Sequence, residues 1–106
     1  MGAAYKKNVD DIRESPSLKI MKLLEKKSIN YDYFDPYVKK ISSSRNYKGQ
    51  IKSIKLNYQN FKKYLMIVVV TDHDVLNYKK ILKNSKMILD TRGRYAFDKS
   101  SKIIQI

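Results

Sequence analysis

An α/β sandwich with a mainly parallel sheet and right-handed crossovers is the fold that this 106-residue sequence predicts. Three observations carry the expectation. Helix-type and strand-type patterns alternate along the chain. The run YLMIVVVT at residues 64–71 is unbroken, apolar and rich in β-branched residues, which suits a strand buried on both faces of a parallel sheet. Ser15-Pro16 opens a stretch whose apolar residues recur at three- and four-residue spacing. A chain of this length supports one domain with one modest core.

The elements follow in order. Residues 1–4, MGAA, read as the exit of a strand, because a strand averages about five or six residues and only the end of one is present. The charged stretch from Tyr5 to Arg13 is then a strand-to-helix loop. Leu18, Met21 and Leu24, with Ile20 and Leu23, predict an amphipathic helix over about 16–27 whose solvent face carries Lys19, Lys22 and Lys26. INYDYF alternates apolar and polar and predicts a strand over 29–34, closed by Pro36. Residues 39–50 read as a polar loop, and residues 51–56 as a short strand. Asn57 is placed to cap a short helix holding Tyr58 and Phe61, and Asp74 to cap a later one using Tyr78, Ile81 and Leu82. KMILD and IIQI predict two more strands, separated by a loop. Open α/β sheets bind ligands at the carboxyl ends of their strands. That edge would carry residues 5–13, Asp35-Pro36, residues 71–74 and residues 90–93.

Composition narrows the function. The net charge is +13, but arginine occurs only at 13, 45, 92 and 94, and lysine, asparagine, isoleucine and tyrosine are all abundant. The charge therefore reads as a solvated lysine surface before it reads as a specific polyanion site. Without cysteine, these residues hold no disulfide, thiolate metal site or cysteine nucleophile. No apolar run approaches the roughly 20 residues of a membrane span, and no signal-peptide pattern opens the chain. A cytoplasmic setting is expected.

GAAYKKNVDDIRESPSLKIMKLLEKK, YDYFDPYV, VVVTDHD and ILDTRG together, from Gly2 to about Gly93, resemble the C-terminal domain of the UDP-glucose/GDP-mannose (nucleotide-sugar) dehydrogenase family. The likeness is nearest to the bacterial branch acting on UDP-N-acetylhexosamines for surface polysaccharides. It implies a Rossmann-like domain with its first strand truncated. It also implies a larger NAD-dependent enzyme that oxidises the C6 alcohol of a UDP-sugar to a carboxylate. In that family an N-terminal domain binds NAD, a central domain carries the catalytic cysteine, and the C-terminal domain binds the nucleotide. Residues 1–106 are thus expected to be the UDP-sugar-binding domain, inactive and monomeric alone, working beside NAD-binding and central domains that lie outside it. The sequence departs from the family where Lys39-Lys40 stand after DPYV, a place where relatives often carry proline. Only Gly2, Gly49 and Gly93 are glycine, so the clustered glycines of a dinucleotide fingerprint are not encoded here.

By this resemblance Tyr5, Lys6 and Arg92 bind the substrate nucleotide and Arg13 contacts NAD. A lysine ammonium suits a diphosphate as a point charge, and a guanidinium suits a pyrophosphate bidentately. Each has a plainer alternative: a solvated lysine, a tyrosine capping the core, a surface arginine beside Arg94, and an ion pair of Arg13 with Asp10, Asp11 or Glu14. Asp10 and Asp11, adjacent and without a matching histidine, make a poor metal site, and no metal or catalytic residue is assigned. His73, the single histidine, has no positioned nucleophile beside it and reads as orienting a strand end. A competing function, a small RNA- or polyanion-binding module, rests on charge alone and lacks aromatic-basic RNA-binding patterns.

Overall fold

Ser15 caps the first helix. In the computed structural model, which describes residues 1–13, 15–42 and 50–106, its side chain accepts the Ser17 N–H at the start of α1 (Pro16–Lys26). Leu18 and Met21, on the buried stripe of α1, pack with Ala3, Ala4, Tyr33, Val38 and Ile41. Two hydroxyls stitch the helix start to the N-terminal segment. Ser15 donates to the Ala3 carbonyl (2.6 Å) and Ser17 to the Gly2 carbonyl.

Two corrections follow. The strand expected over 29–34 is not formed. Tyr33 and Phe34 each accept one backbone bond, from Ile54 and Gly2 (2.9 and 2.8 Å), on opposite sides of an extended segment. A single bond to each neighbour makes no ladder, and the segment turns at Asp35-Pro36. The polar loop expected over 39–50 begins with a strand, and the strand expected over 51–56 forms at its start, Ile51–Lys52. β1 (Lys40–Ile41) pairs antiparallel with β2 (Ile51–Lys52), because Ile41 is drawn fully into the α1 cluster. The middle of that loop, residues 43–49, lies outside the described residues, as does Glu14.

Asn57 caps a short 3-10 helix, Tyr58–Lys63, accepting the Gln59 N–H. β3 (Ile67–Val69) takes the centre of the predicted apolar run. α2 (Tyr78–Asn84) follows, with Ile81 buried and its cap supplied by Asn77, which accepts the Lys80 N–H. The predicted cap, Asp74, is bonded elsewhere. β4 (Ile88–Asp90) and β5 (Ile103–Gln105) complete a parallel sheet in the order β3-β4-β5, with Ile67, Ile88 and Ile103 in one register row.

On the side of β3 away from β4 lies the N-terminal segment. The Met1 ammonium donates to the Val68 carbonyl (2.8 Å), and the Met1 carbonyl accepts from Val70 (2.9 Å). This pair of bonds is one repeat of a parallel ladder. Gly2 then donates to Phe34, so residues 1–2 lie in the sheet between β3 and the extended segment at Tyr33-Phe34. Tyr33 packs in the α1 cluster. Phe34, its neighbour, packs in a second cluster with Phe61, Ile67, Val69, Ile81 and Ile88. Successive residues of extended chain face opposite sides, so each face of the sheet has its own core, with α1 on one and α2 on the other.

Gly2 is where the N-terminal segment meets β3 most closely. Its φ is +86°, and a Cβ there would sit 2.6 Å from the Thr71 nitrogen. Only glycine combines that dihedral with that approach.

Candidate functional site

The N-terminal segment, the turn at Asp35-Pro36 and the loop after β3 meet around Asp35 and His73, both fully buried. Asp35 Oδ2 accepts the backbone N–H groups of Ala3 (2.7 Å) and Ala4 (3.0 Å); Oδ1 accepts those of Tyr37 (2.7 Å) and Val38 (3.1 Å). His73 Nε2 lies 2.8 Å from Oδ2. His73 Nδ1 faces the Asn8 backbone N–H at 2.7 Å. An amide N–H can only donate, so Nδ1 is the acceptor and the imidazole proton sits on Nε2, toward Asp35. Burial alone would raise the Asp35 carboxyl pKa. The His73 bond and the N–H groups of Ala3, Tyr37 and Ala4 outweigh it and hold the group below its usual value.

Asn8 adopts φ +64°, a left-handed conformation that asparagine tolerates better than most residues. Its side chain exchanges two bonds with Asp74, from Nδ2 to Oδ2 (2.8 Å) and from the Asp74 N–H to Oδ1 (2.9 Å). Thr71 donates to the Ala4 carbonyl at 2.6 Å. The loop after residue 4 is thereby fixed to the end of β3 at Thr71, His73 and Asp74.

The loop after β4 closes the edge. Asp90, fully buried, accepts the N–H groups of Arg92 (3.0 Å) and Tyr95 (2.8 Å). Arg92 Nε donates to the Val70 carbonyl (2.7 Å) and its Nη2 to the Tyr5 carbonyl (3.3 Å). Arg94 reaches Asp74 (2.6 Å) and Asp72 (3.4 Å) and lies over the Tyr78 ring, 4.4 Å from its centroid. The Arg94 guanidinium first, then Asn8, lowers the Asp74 carboxyl to about 2.

Three of the four site residues named by the sequence come together. Tyr5 and Lys6 are exposed on the loop that Arg92 grips from across the edge. Among the described residues neither Lys6 nor Arg92 forms an ion pair, whereas Lys7 and Arg94 are paired with Asp74. Arg13 stands apart, outward-facing at 87% side-chain exposure. It is held bidentately by Asp11, Nε to Oδ1 at 3.1 Å and Nη2 to Oδ2 at 3.0 Å. The ion pair within the loop is therefore formed, with Asp11 among the three candidates. The α1 start is closed by Ser15 and Pro16, without the glycine-rich turn that lets a pyrophosphate approach.

Sequence reasoning missed Asn8, Arg94 and the depth of Asp35. A turn signal at Lys7-Asn8 was available; the convergence of Asn8 on His73, 65 residues away, was not.

Residues 1–97 match the model of the UDP-glucose/GDP-mannose dehydrogenase family, UDP binding domain. A UDP-N-acetyl-D-mannosamine dehydrogenase from Methanococcus vannielii is 34% identical over 101 residues, covering 87% of this chain and 21% of that protein. The chain therefore spans about a fifth of the length of this relative. No solved structure matches it. With both the family model and this relative aligned across most of its length, the chain belongs to the UDP-glucose/GDP-mannose dehydrogenase family, in the UDP binding domain.

Proposed function

We propose that this chain supplies the nucleotide wall of a UDP-sugar site in an NAD-dependent nucleotide-sugar 6-dehydrogenase, acting in the cytoplasm on a UDP-N-acetylhexosamine. The observation that carries the reading is the joining of two loops at one sheet edge. Arg92 bonds the Tyr5 carbonyl, which joins it to the loop carrying Lys6, and among the described residues neither cation forms an ion pair. Two such cations match a diphosphate. The family description supports a UDP ligand, and the name of the archaeal relative supports an N-acetylhexosamine.

The chemical roles divide accordingly. This chain's part is to bind and orient: Lys6 and Arg92 take the diphosphate and the Tyr5 segment packs against the nucleoside. The hydride acceptor would be NAD, held by a domain outside these residues, with Arg13 facing it when the two close together. The oxidation also requires a thiol, which these residues do not contain. The chain by itself turns over no UDP-sugar.

Titration with UDP tests the reading. With one wall of the cleft present and water screening its charges, binding is expected near millimolar, about −4 kcal/mol. Lys6→Ala and Arg92→Ala each weaken it; Lys40→Ala, at the exposed position of β1, does not. Equal effects from all three would show only attraction of anions to the +13 chain. A titration with RNA that collapses with salt while UDP fails to bind would favour the polyanion-binding alternative.

A further inference from the structure

Two loops each bring a pair of cations to the sheet edge: Lys6 and Lys7 between Tyr5 and Asn8, and Arg92 and Arg94 on either side of Gly93. The members of each pair differ in their surroundings. Asp74, in the loop after β3, takes one cation from each loop. Its Oδ1 lies 2.6 Å from Arg94 Nη1 and 3.8 Å from Lys7 Nζ. Asp72 brings a second carboxylate to Arg94 at 3.4 Å, and the Tyr78 ring lies against the guanidinium.

The other two cations have no such carboxylate among the described residues. Arg92 donates to the carbonyls of Val70 and Tyr5, which orients its guanidinium without neutralising it. Asp11 is the carboxylate whose field includes Lys6, and Arg13 already holds it bidentately.

Asp74 is itself held in place. Its Oδ2 accepts from Asn8 Nδ2 (2.8 Å), and its N–H donates to Asn8 Oδ1 (2.9 Å). Arg94 first, and Asn8 second, keep its pKa at about 2, so it stays ionised throughout the neutral range. Charge counting then decides what the edge suits. A nucleotide sugar carries a diphosphate diester with about two negative charges, whereas a nucleoside triphosphate carries about four. Two unpaired cations match the first, and four would favour the second.

We propose that Asp74 is a specificity-determining residue of the nucleotide site: by pairing Lys7 and Arg94 it leaves Lys6 and Arg92 to meet the phosphates, and so biases the site toward a diphosphate diester and against a nucleoside triphosphate. Asp74 touches no ligand and acts through the cations it withholds. The inference rests on the nucleotide reading above. Because the +13 chain attracts any polyanion, its signature is a change in the ratio of two affinities. A merely structural loss at Asp74 would weaken both ligands alike.

The test titrates the whole chain by NMR with UDP-N-acetylglucosamine and with UTP, without magnesium and at one ionic strength. Asp74→Asn should raise the affinity for UTP relative to UDP-N-acetylglucosamine by about threefold or more. Glu25→Gln, the same change of charge near the far end of α1, should leave that ratio within about 1.5-fold of the wild type. Lys7→Ala should alter UDP-N-acetylglucosamine binding by less than about twofold, and Lys6→Ala should weaken it by more. An unchanged ratio in Asp74→Asn, or an equal rise in Glu25→Gln, overturns the proposal. Lys7→Ala as damaging as Lys6→Ala also overturns it, and this comparison decides alone if Asp74→Asn does not fold. If Lys6→Ala and Arg92→Ala both leave UDP-N-acetylglucosamine binding intact, the nucleotide site itself falls and takes this proposal with it.

Discussion

His73 and Asp35 form a fully buried pair, 2.8 Å apart, that joins three segments at one sheet edge. Asp35 holds residues 3–4 and 37–38 by their amides, and His73 holds Asn8. Neither side chain touches solvent, so the pair acts on these loops by position.

Removing the carboxylate should approach the limit of stability. Asp35→Ala leaves four amides, three of them buried, and an imidazole N–H without their acceptor. A cost on the order of 3–5 kcal/mol is expected, against a total of about 5–15 for a domain. Urea unfolding monitored by circular dichroism measures it. A loss below about 1 kcal/mol would contradict the role given to Asp35.

The same group sets an acid limit. Its folded pKa lies below the unfolded value, so its stabilisation is complete above the unfolded carboxylate pKa. It is lost as pH falls through the folded one. The wild-type chain should lose stability below about pH 4, where Asp35 protonates in the unfolded state first. Asp35→Asn, if folded, should show a shallower decline over that window.

The Met1 amine predicts a second slope of the same sign near neutrality. Its folded pKa of about 6 lies below the usual α-amine value of 8.0, so between those values the unfolded chain binds more protons. Stability then rises with pH from 6 to 8, by on the order of 2 kcal/mol. Acetylating the α-amine should flatten this part of the profile. An unchanged slope after acetylation would place its origin elsewhere.

Gly2→Ala should be among the most damaging single-methyl additions. The new carbon would collide with Thr71 backbone atoms at a positive φ. A thermal midpoint lower by at least 10 °C is expected, from roughly 2–3 kcal/mol on a domain of this size. Gly93→Ala, with open space around it but φ +74°, should cost only about 1 kcal/mol. Comparable melting temperatures for the two variants would refute the close approach at Gly2.

Arg92→Lys separates charge from geometry. Lysine keeps the cation but cannot span from the Val70 carbonyl to the Tyr5 carbonyl as the guanidinium does. UDP affinity should drop at least threefold, with the Tyr5 amide exchanging faster. Retained affinity together with faster exchange would show that the loop's anchoring is irrelevant to binding.

Much of the fold was legible where local rules and tertiary context agree. Ser15-Pro16 announces α1, and Asn57 its 3-10 turn, because a cap is a bond between close neighbours. The sequence misread the cap of α2. Asp74 has the right chemistry, but Asn8 and Arg94, distant in the chain, compete for it more strongly, and Asn77 serves instead. Residues 29–34 alternate like a strand, yet whether they form a ladder depends on neighbours that meet them at one residue each. At the site, motif order pointed to Lys6 and Arg92. The Arg92–Tyr5 bond that places them together spans 87 residues, and no local pattern encodes it.

The bonds that fix residues 1–8 also set an order of events during synthesis. Met1, Ala4 and Asn8 find their partners at Val68, Thr71 and His73, each separated by 65 to 67 residues. As the ribosome extends the chain, residues 1–8 must wait until residues 68–73 have emerged. Contacts of such separation close late and slowly. The helix at Pro16–Lys26 can form early from its own cap, but its inner face stays uncovered until Tyr33, Val38 and Ile41 follow. The nascent chain is then most exposed to wrong pairing in the interval before Thr71 leaves the exit tunnel.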